Sequence, residues 1–183
     1  MMKKLEMKFS LWQWIALAGL GFLLPACKAQ PTGQVENVNF DRTLSAMLNE
    51  ENVPFMSVAT LKNRSVDSVI LLDAREKEEY ETSHIPGAIW VGYDDFNAER
   101  VQDIERGKEV VVYCSVGYRS EKVGEQLLKM GFEDVHNLYG SIFEWANQSQ
   151  PLVSPEGDTV QQIHAYNLLW GQWMKNEDIK KKY

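Results

Sequence analysis

The run Val110-Val111-Val112 is apolar at consecutive positions, and a strand with that pattern has to be covered on both faces. Val69-Ile70-Leu71-Leu72 imposes the same requirement a second time, so the segment Val66 to Asp73 is expected to be a central strand. Helical patterns separate such runs. Glu76 to Glu81 is short and charged, while Ser120 to Met130 places Val123, Leu127, Leu128 and Met130 near the 3.6-residue period, with Gly131 at the C′ position. Ile85 to Val91 and Val135 to Leu138 read as further strands, and Ser141 to Asn147 as a helix behind a serine cap. Strands alternating with helices imply an α/β fold with a mainly parallel sheet and helices on both faces. Ligands of such sheets sit beyond the carboxyl ends of strands, and Cys114 stands at one.

Cys114 is followed by Ser115-Val116-Gly117-Tyr118, by Arg119, and by the helical pattern from Ser120. Backbone N–H groups, a helix N-terminus and a guanidinium each favour a thiolate, the reactive form of cysteine, and all three can act on this sulfur. The bland alternative is a buried structural cysteine, the common state of an isolated Cys after a valine run. The loop spacing favours the nucleophile. His136 and His164 lack paired ligand spacing and there is no Cys-x-x-Cys, so neither a metal site nor a cofactor is expected.

The ends of the chain read differently. Lys3, Lys4 and Lys8 precede an apolar stretch from Leu11 to Leu24, shorter than the roughly 20 residues that span a bilayer. Residues 1–26 are therefore expected to be an export signal. Leu24-Pro25-Ala26-Cys27 resembles the lipobox of bacterial lipoproteins, which implies lipidation of Cys27; Pro25 departs from that pattern. Cleavage after Ala29 and an uncleaved anchor are the other two readings. The expected location is the periplasm or cell envelope, with the membrane reached only through acyl chains on Cys27. Cys114 would then be the sole thiol, with no intrachain disulfide to form. A formal net charge of -7 speaks against nucleic acid as a partner, and Lys180-Lys181-Lys182 reads as a solvated tail.

Residues 27–42 read as a linker, because Lys28 to Asn39 is polar and aperiodic. A helix is expected from Asp41, its N-cap, to Glu50, stopped by Pro54. Beyond the turn-rich Ser154 to Asp158, Val160 to Lys175 suggests an amphipathic helix carrying Val160, Ile163, Asn167, Trp170 and Met174, with Gly171 weakening it by about 1 kcal/mol. Trp170 and Trp173 are expected to pack against the main domain, an aromatic partner surface being the alternative.

Three groups of residues carry a family resemblance: Asp73-Ala74-Arg75-Glu76 with Tyr80, His84-Ile85-Pro86-Gly87-Ala88-Ile89, and Cys114-Ser115-Val116-Gly117-Tyr118-Arg119-Ser120. Together they resemble the rhodanese-like family over about residues 43–149, leaving 150–183 as an extension. The resemblance implies a central parallel sheet of about five strands and a persulfide on Cys114. Ser115, Val116, Gly117, Tyr118 and Ser120 would cradle the sulfur, Gly117 allowing a positive φ, Arg119 fixing the loop or holding an anionic donor, and Ser120 capping the next helix. Asp73 and Arg75 would brace the nearby turn. His84 would order the Ile85-Pro86-Gly87 turn, although Ser83 stands where the family often has glycine.

The implied function is a sulfurtransferase that moves a sulfane sulfur to a thiol through Cys114. Two alternatives stand beside it. Phosphatases and arsenate reductases of this fold resemble the loop but place one more residue between Cys and Arg than the four found here. A non-catalytic envelope module is the other: many that only bind a partner would be expected to lack the cysteine, so Cys114 and Arg119 count against that role, and a sulfur-carrier module is part of the same alternative. The acidic chain argues for thiosulfate as a weak donor and for a thiol acceptor, such as an exported redox protein.

Overall fold

The computed structural model describes residues 32–65 and 68–183, so the expected export signal over 1–26 and Cys27 lie outside the described residues. Five strands form one sheet: β1 (Phe55–Met56), β2 (Ile70–Asp73), β3 (Ile89–Trp90), β4 (Glu109–Tyr113) and β5 (Asp134–Leu138). Their order is β1-β5-β4-β2-β3 and all four pairings are parallel. The valine run thus forms the middle strand, β4, in register with Ile70 to Asp73 on one side and Asp134 to Asn137 on the other.

Alternation along β4 divides the core into two layers. Val111 and Tyr113 face a cluster with Phe40 and Leu44 of helix α1 (Val38–Met47), Val58 and Leu61 of α2 (Val58–Leu61), and Ile142 and Phe143 of α5 (Ser141–Asn147). Val110 and Val112 face a second cluster with Val123 and Leu127 of α4 (Tyr118–Lys129), Phe132, and Val101 of a 3-10 turn at Ala98–Val101. Helices therefore cover both faces, as the double apolar runs require. The remaining helix of the main body, α3 (Lys77–Thr82), follows β2, with Glu76 as its N-cap in a capping box with Glu79.

Several local expectations are corrected. Helix α1 begins at Val38 behind Asn37, whose side chain accepts from the Asn39 and Phe40 N–H groups. Asp41 is not a cap. It is 1 % exposed and accepts hydrogen bonds from the Tyr139 and Thr32 hydroxyls and the Gly33 N–H. With Val35 and Phe40 also buried, the described part of the expected linker, residues 32–42, is packed onto the core. Pro54 lies beyond the end of α1 and its carbonyl accepts from Asn137 N–H, leading into β1, which sequence pattern alone did not reveal.

The C-terminal extension is not one amphipathic helix. It contains the strand pair β6 (Leu152–Val153) and β7 (Thr159–Val160), then β8 (Gln162–His164), the single turn α6 (Leu168–Gly171) and β9 (Lys180–Lys182). Ile163 and Ala165 point inward at a strand period, and β8 pairs in parallel with β9, so the lysine run is a paired strand rather than a tail. That partner is remote in sequence, which is why local periodicity misled. The extension is fastened by Ser83 Oγ donating to Gln162 O at 2.7 Å, by Trp173 stacking on Phe40, and by buried Met174. Among the described residues no helix is long and apolar enough to cross a membrane.

At the carboxyl end of β2 the fully buried Arg75 grips Asp73 through Nε and Nη2, with Nη2 at 2.7 Å from Oδ2 and 2.6 Å from the Ser83 carbonyl. This pair ties β2 to the end of α3. Asp73→Asn leaves the guanidinium buried without its counter-charge and is expected to lower unfolding free energy by about 3–5 kcal/mol, read from the urea midpoint at unchanged slope.

Candidate active site

Cys114 is the first residue past β4, buried at the base of a loop that turns through Ser115, Val116 and Gly117 into α4. Gly117 has φ +127, and a Cβ there would lie 2.8 Å from Leu48 Cδ1, so both backbone and space require glycine. Three of the loop carbonyls are bonded away from the sulfur. Ile142 N–H donates to Cys114 O, Phe143 N–H to Ser115 O, and Asn137 Nδ2 to Gly117 O. The Gly117 N–H is left to face the sulfur, with N 3.1 Å from Sγ, and the Ser120 N–H also favours the thiolate.

Ser120 is thus inside the first turn of α4, and the N-cap is Gly117, not Ser120. Its hydroxyl has one proton, and the shorter contact, 2.7 Å to Asn137 Oδ1, takes it in preference to 3.1 Å to Gly117 O. Ser141 is likewise not a cap. Gly140 holds that place, while the Ser141 hydroxyl accepts Cys114 N–H at 3.1 Å and donates to Leu138 O. Asn137 and Ser141 are therefore loop-bracing residues that sequence reasoning missed; a polar residue late in an apolar strand was the only signal for the first.

Arg119 does hold the loop. Its Nη1 is 2.6 Å from Glu79 Oε2, its Nη2 is 2.8 Å from Oε1 and 2.9 Å from Ser115 Oγ, and Ser115 Oγ itself donates to Glu79. Glu76 adds a longer contact at 3.7 Å. The other role considered for Arg119, holding an anionic donor, is not what its geometry provides, because its charge is already matched by a buried bidentate carboxylate. Glu79 was not among the expected site residues. It is 2 % exposed, and the spacing of the capping box, Glu76 to Glu79, was its only trace in the sequence.

The electrostatics follow from this arrangement. Burial pushes the Cys114 thiol up, but the Arg119 charge and the Ser120 and Gly117 N–H groups outweigh it and hold the thiol below its ordinary value. Burial also pushes Glu79 up, and its bonds to Arg119 more than reverse that. Arg119 gains in turn, kept protonated by Glu79 and by the sulfur. His84 lies apart from the sulfur: its Nδ1 bonds Tyr80 O, its ring stacks on Tyr80 at 3.9 Å, and its backbone bridges to Val153, so it ties α3 to the extension rather than ordering the Ile85-Pro86-Gly87 turn. Burial lowers its pKa, leaving it neutral at neutral pH.

Above the sulfur opens a pocket of about 310 Å³. Cys114, Ser115 and Val116 form its floor, with Met47, Tyr118, Arg119, Tyr166 and Trp170 around it. The Tyr166 ring lies 4.9 Å from the Arg119 guanidinium carbon. Away from Cys114, toward the start of β4 and β5, Glu109, Asp134 and His136 gather, with His136 Nε2 at 2.8 Å from Asp134.

The arrangement has counterparts. Residues 57–148, just over half of the chain, match the model of the rhodanese-like domain. The chain is 34% identical over 100 residues to a sulfurtransferase of Allochromatium vinosum, covering 54% of this chain and 92% of that protein. It is 30% identical over 104 residues to the putative sulfur carrier protein YrkF of Bacillus subtilis, covering 56% of each. A further relative is the tRNA uridine(34) hydroxylase of Cytophaga hutchinsonii, 32% identical over 83 residues, of which this chain spans 27%. The chain thus spans about half or less of those last two relatives. Among solved structures, a thiosulfate sulfurtransferase from Pseudomonas aeruginosa shares the fold with a TM-score of 0.51 at 24% identity, over 68% of this chain and 24% of that one.

Two outcomes are expected of this site. Alkylation of Cys114 by iodoacetamide should follow a thiolate titration whose midpoint lies below the 9.0 of an ordinary thiol, losing rate as pH falls through it; Arg119→Gln should move the midpoint upward. Glu79→Gln should cost on the order of 3 kcal/mol of stability and at the same time move the Cys114 midpoint further down, since it unmasks the Arg119 charge. A midpoint unchanged in Glu79→Gln would contradict the masking.

Proposed function

The chain belongs to the rhodanese-like domain family, and from that premise we propose that it is a sulfurtransferase that carries a sulfane sulfur as a persulfide on Cys114. The observation that carries the reading is the inward-facing set of N–H groups around a thiol held below its ordinary pKa. The Cys114 thiolate attacks the outer sulfur of a donor R–S–SH, forming Cys114–S–SH and releasing R–S⁻. An acceptor thiolate then takes the outer sulfur and restores the Cys114 thiolate. Negative charge stays on sulfur throughout, where the loop dipoles can offset it without rearranging.

Thiosulfate can enter the same scheme, its outer sulfur passing to Cys114 and sulfite leaving. Its two negative charges would meet Arg119 already paired with Glu79, and Glu76 beside it, in a chain of net charge -7. Thiosulfate is accordingly read as a weak donor, and a thiol as the acceptor, an exported redox protein being one source. The masked arginine also supports a carrier role that stops at the loaded persulfide, in keeping with the name of the B. subtilis relative. Export and a lipid anchor at Cys27 are part of this proposal, resting on Lys3, Lys4, Lys8, the Leu11 to Leu24 stretch and Leu24-Pro25-Ala26-Cys27. On this reading 43–149 is the catalytic domain and 150–183 its extension.

Intact-mass measurement after exposure to glutathione persulfide tests the assignment. One added sulfur is expected on the native chain and none on Cys114→Ser. Loading with thiosulfate as efficient as with the persulfide would reject the donor assignment, and turnover of an aryl phosphate dependent on Cys114 would overturn the sulfur chemistry altogether.

A further inference from the structure

Three of the residues around the sulfur, Met47, Tyr166 and Trp170, lie outside the stretch that matches the family model, two of them in the C-terminal extension. They join Val116 and Tyr118 to make walls of hydrocarbon and aromatic ring, while the one cation present, Arg119, is matched by Glu79. At about 310 Å³ the space stands at the lower end of the roughly 300–1,000 Å³ of small-molecule pockets. It therefore suits a small organic group better than an inorganic dianion.

The two extension residues are held in place by more than chance packing. Asn147 fixes the chain beyond α6, donating to Trp173 O and accepting Lys175 N–H, and Lys181 Nζ donates to Gly171 O at the end of α6. Gly171 lies so close to the C-terminal residue that a Cβ would sit 3.0 Å from the Tyr183 ring. Tyr166 has φ +63, a left-handed conformation that a bulky aromatic residue adopts at a cost and that glycine or asparagine would adopt more readily. Its N–H donates to His164 Nδ1 and its ring packs over Arg119, so the strain is spent on keeping an aromatic face at the pocket.

We propose that Tyr166 and Trp170 are specificity-determining residues that make the Cys114 pocket selective for organic persulfides bearing an uncharged, apolar group next to sulfur. The proposal rests on the sulfurtransferase reading. The apolar group would lie between the Tyr166, Trp170 and Met47 side chains, with its outer sulfur toward Cys114 Sγ. The thiolate would take that sulfur and the apolar thiolate would leave, as in the general scheme.

The test compares phenylmethyl persulfide with glutathione persulfide, which is charged and polar, on the reduced full chain. Sulfur loading of Cys114 is followed by intact mass, and each kcat/KM is divided by the donor's rate with free cysteine. The normalised preference for the phenylmethyl donor is expected to be at least tenfold. Tyr166→Gly, which relieves the left-handed strain against the lost contact with Arg119 and is checked for folding by its melting temperature, is expected to reduce that preference about tenfold, and Trp170→Ala similarly. A preference near one in the native chain, or one unchanged in both variants, overturns the proposal. Absence of loading from either donor would instead defeat the sulfurtransferase reading on which it stands.

Discussion

In the loop that follows β4 the carbonyls of Cys114, Ser115 and Gly117 are bonded away from the sulfur, and the Gly117 N–H is left to face it. Ile142, Phe143 and Asn137 supply those bonds, and a carbonyl deprived of its partner would swing toward the sulfur and oppose the charge there. This single requirement links distant parts of the chain. It needs α5 to start beside the loop, which places Gly140 and Ser141 in left-handed backbone at φ +77 and +51. It needs Asn137 on β5, next to β4, and so depends on the register that the two apolar strands impose.

The Glu79–Arg119 pair sets how strongly the site attracts charge. An arginine alone beside the sulfur would both activate the thiol and draw anions; with Glu79 bound, it still orders Ser115 and the loop but offers outer anions little net attraction. The thiol is lowered first by the Arg119 charge and then by the backbone N–H groups of the loop, a short-range effect confined to the sulfur. Arg119 thus acts on the buried sulfur while Glu79 offsets its charge toward the pocket, whose walls are largely apolar. Those walls come partly from the extension, which Ser83, His84 and Asn147 fasten to the domain.

Much of the fold was legible because it is local. Consecutive apolar residues at Val69 to Leu72 and Val110 to Val112, and the period of Val123 and Leu127, specify strand, strand and helix with little help from the rest of the chain. Two-residue strands such as β1 carry no period to read, and β8 exists because β9 lies beside it. The Cys114 to Ser120 stretch likewise announced a nucleophile loop, since Gly117 and the number of residues before Arg119 are properties of the sequence itself.

What could not be read there is what each polar side chain finds. Asp41 and Ser141 both look like helix caps in one dimension, yet one binds Tyr139 and the other Cys114 N–H, because caps are local and these partners are not. By itself the sequence determined the alternating α/β architecture, a cysteine at a strand end and the glycine that lets its loop curl, all consequences of spacing along the chain. Only the tertiary structure decided that Arg119 is paired with Glu79 and that Tyr166 and Trp170 line the pocket above the sulfur. Charge pairing and pocket shape are set by distances through space between segments that no sequence period connects.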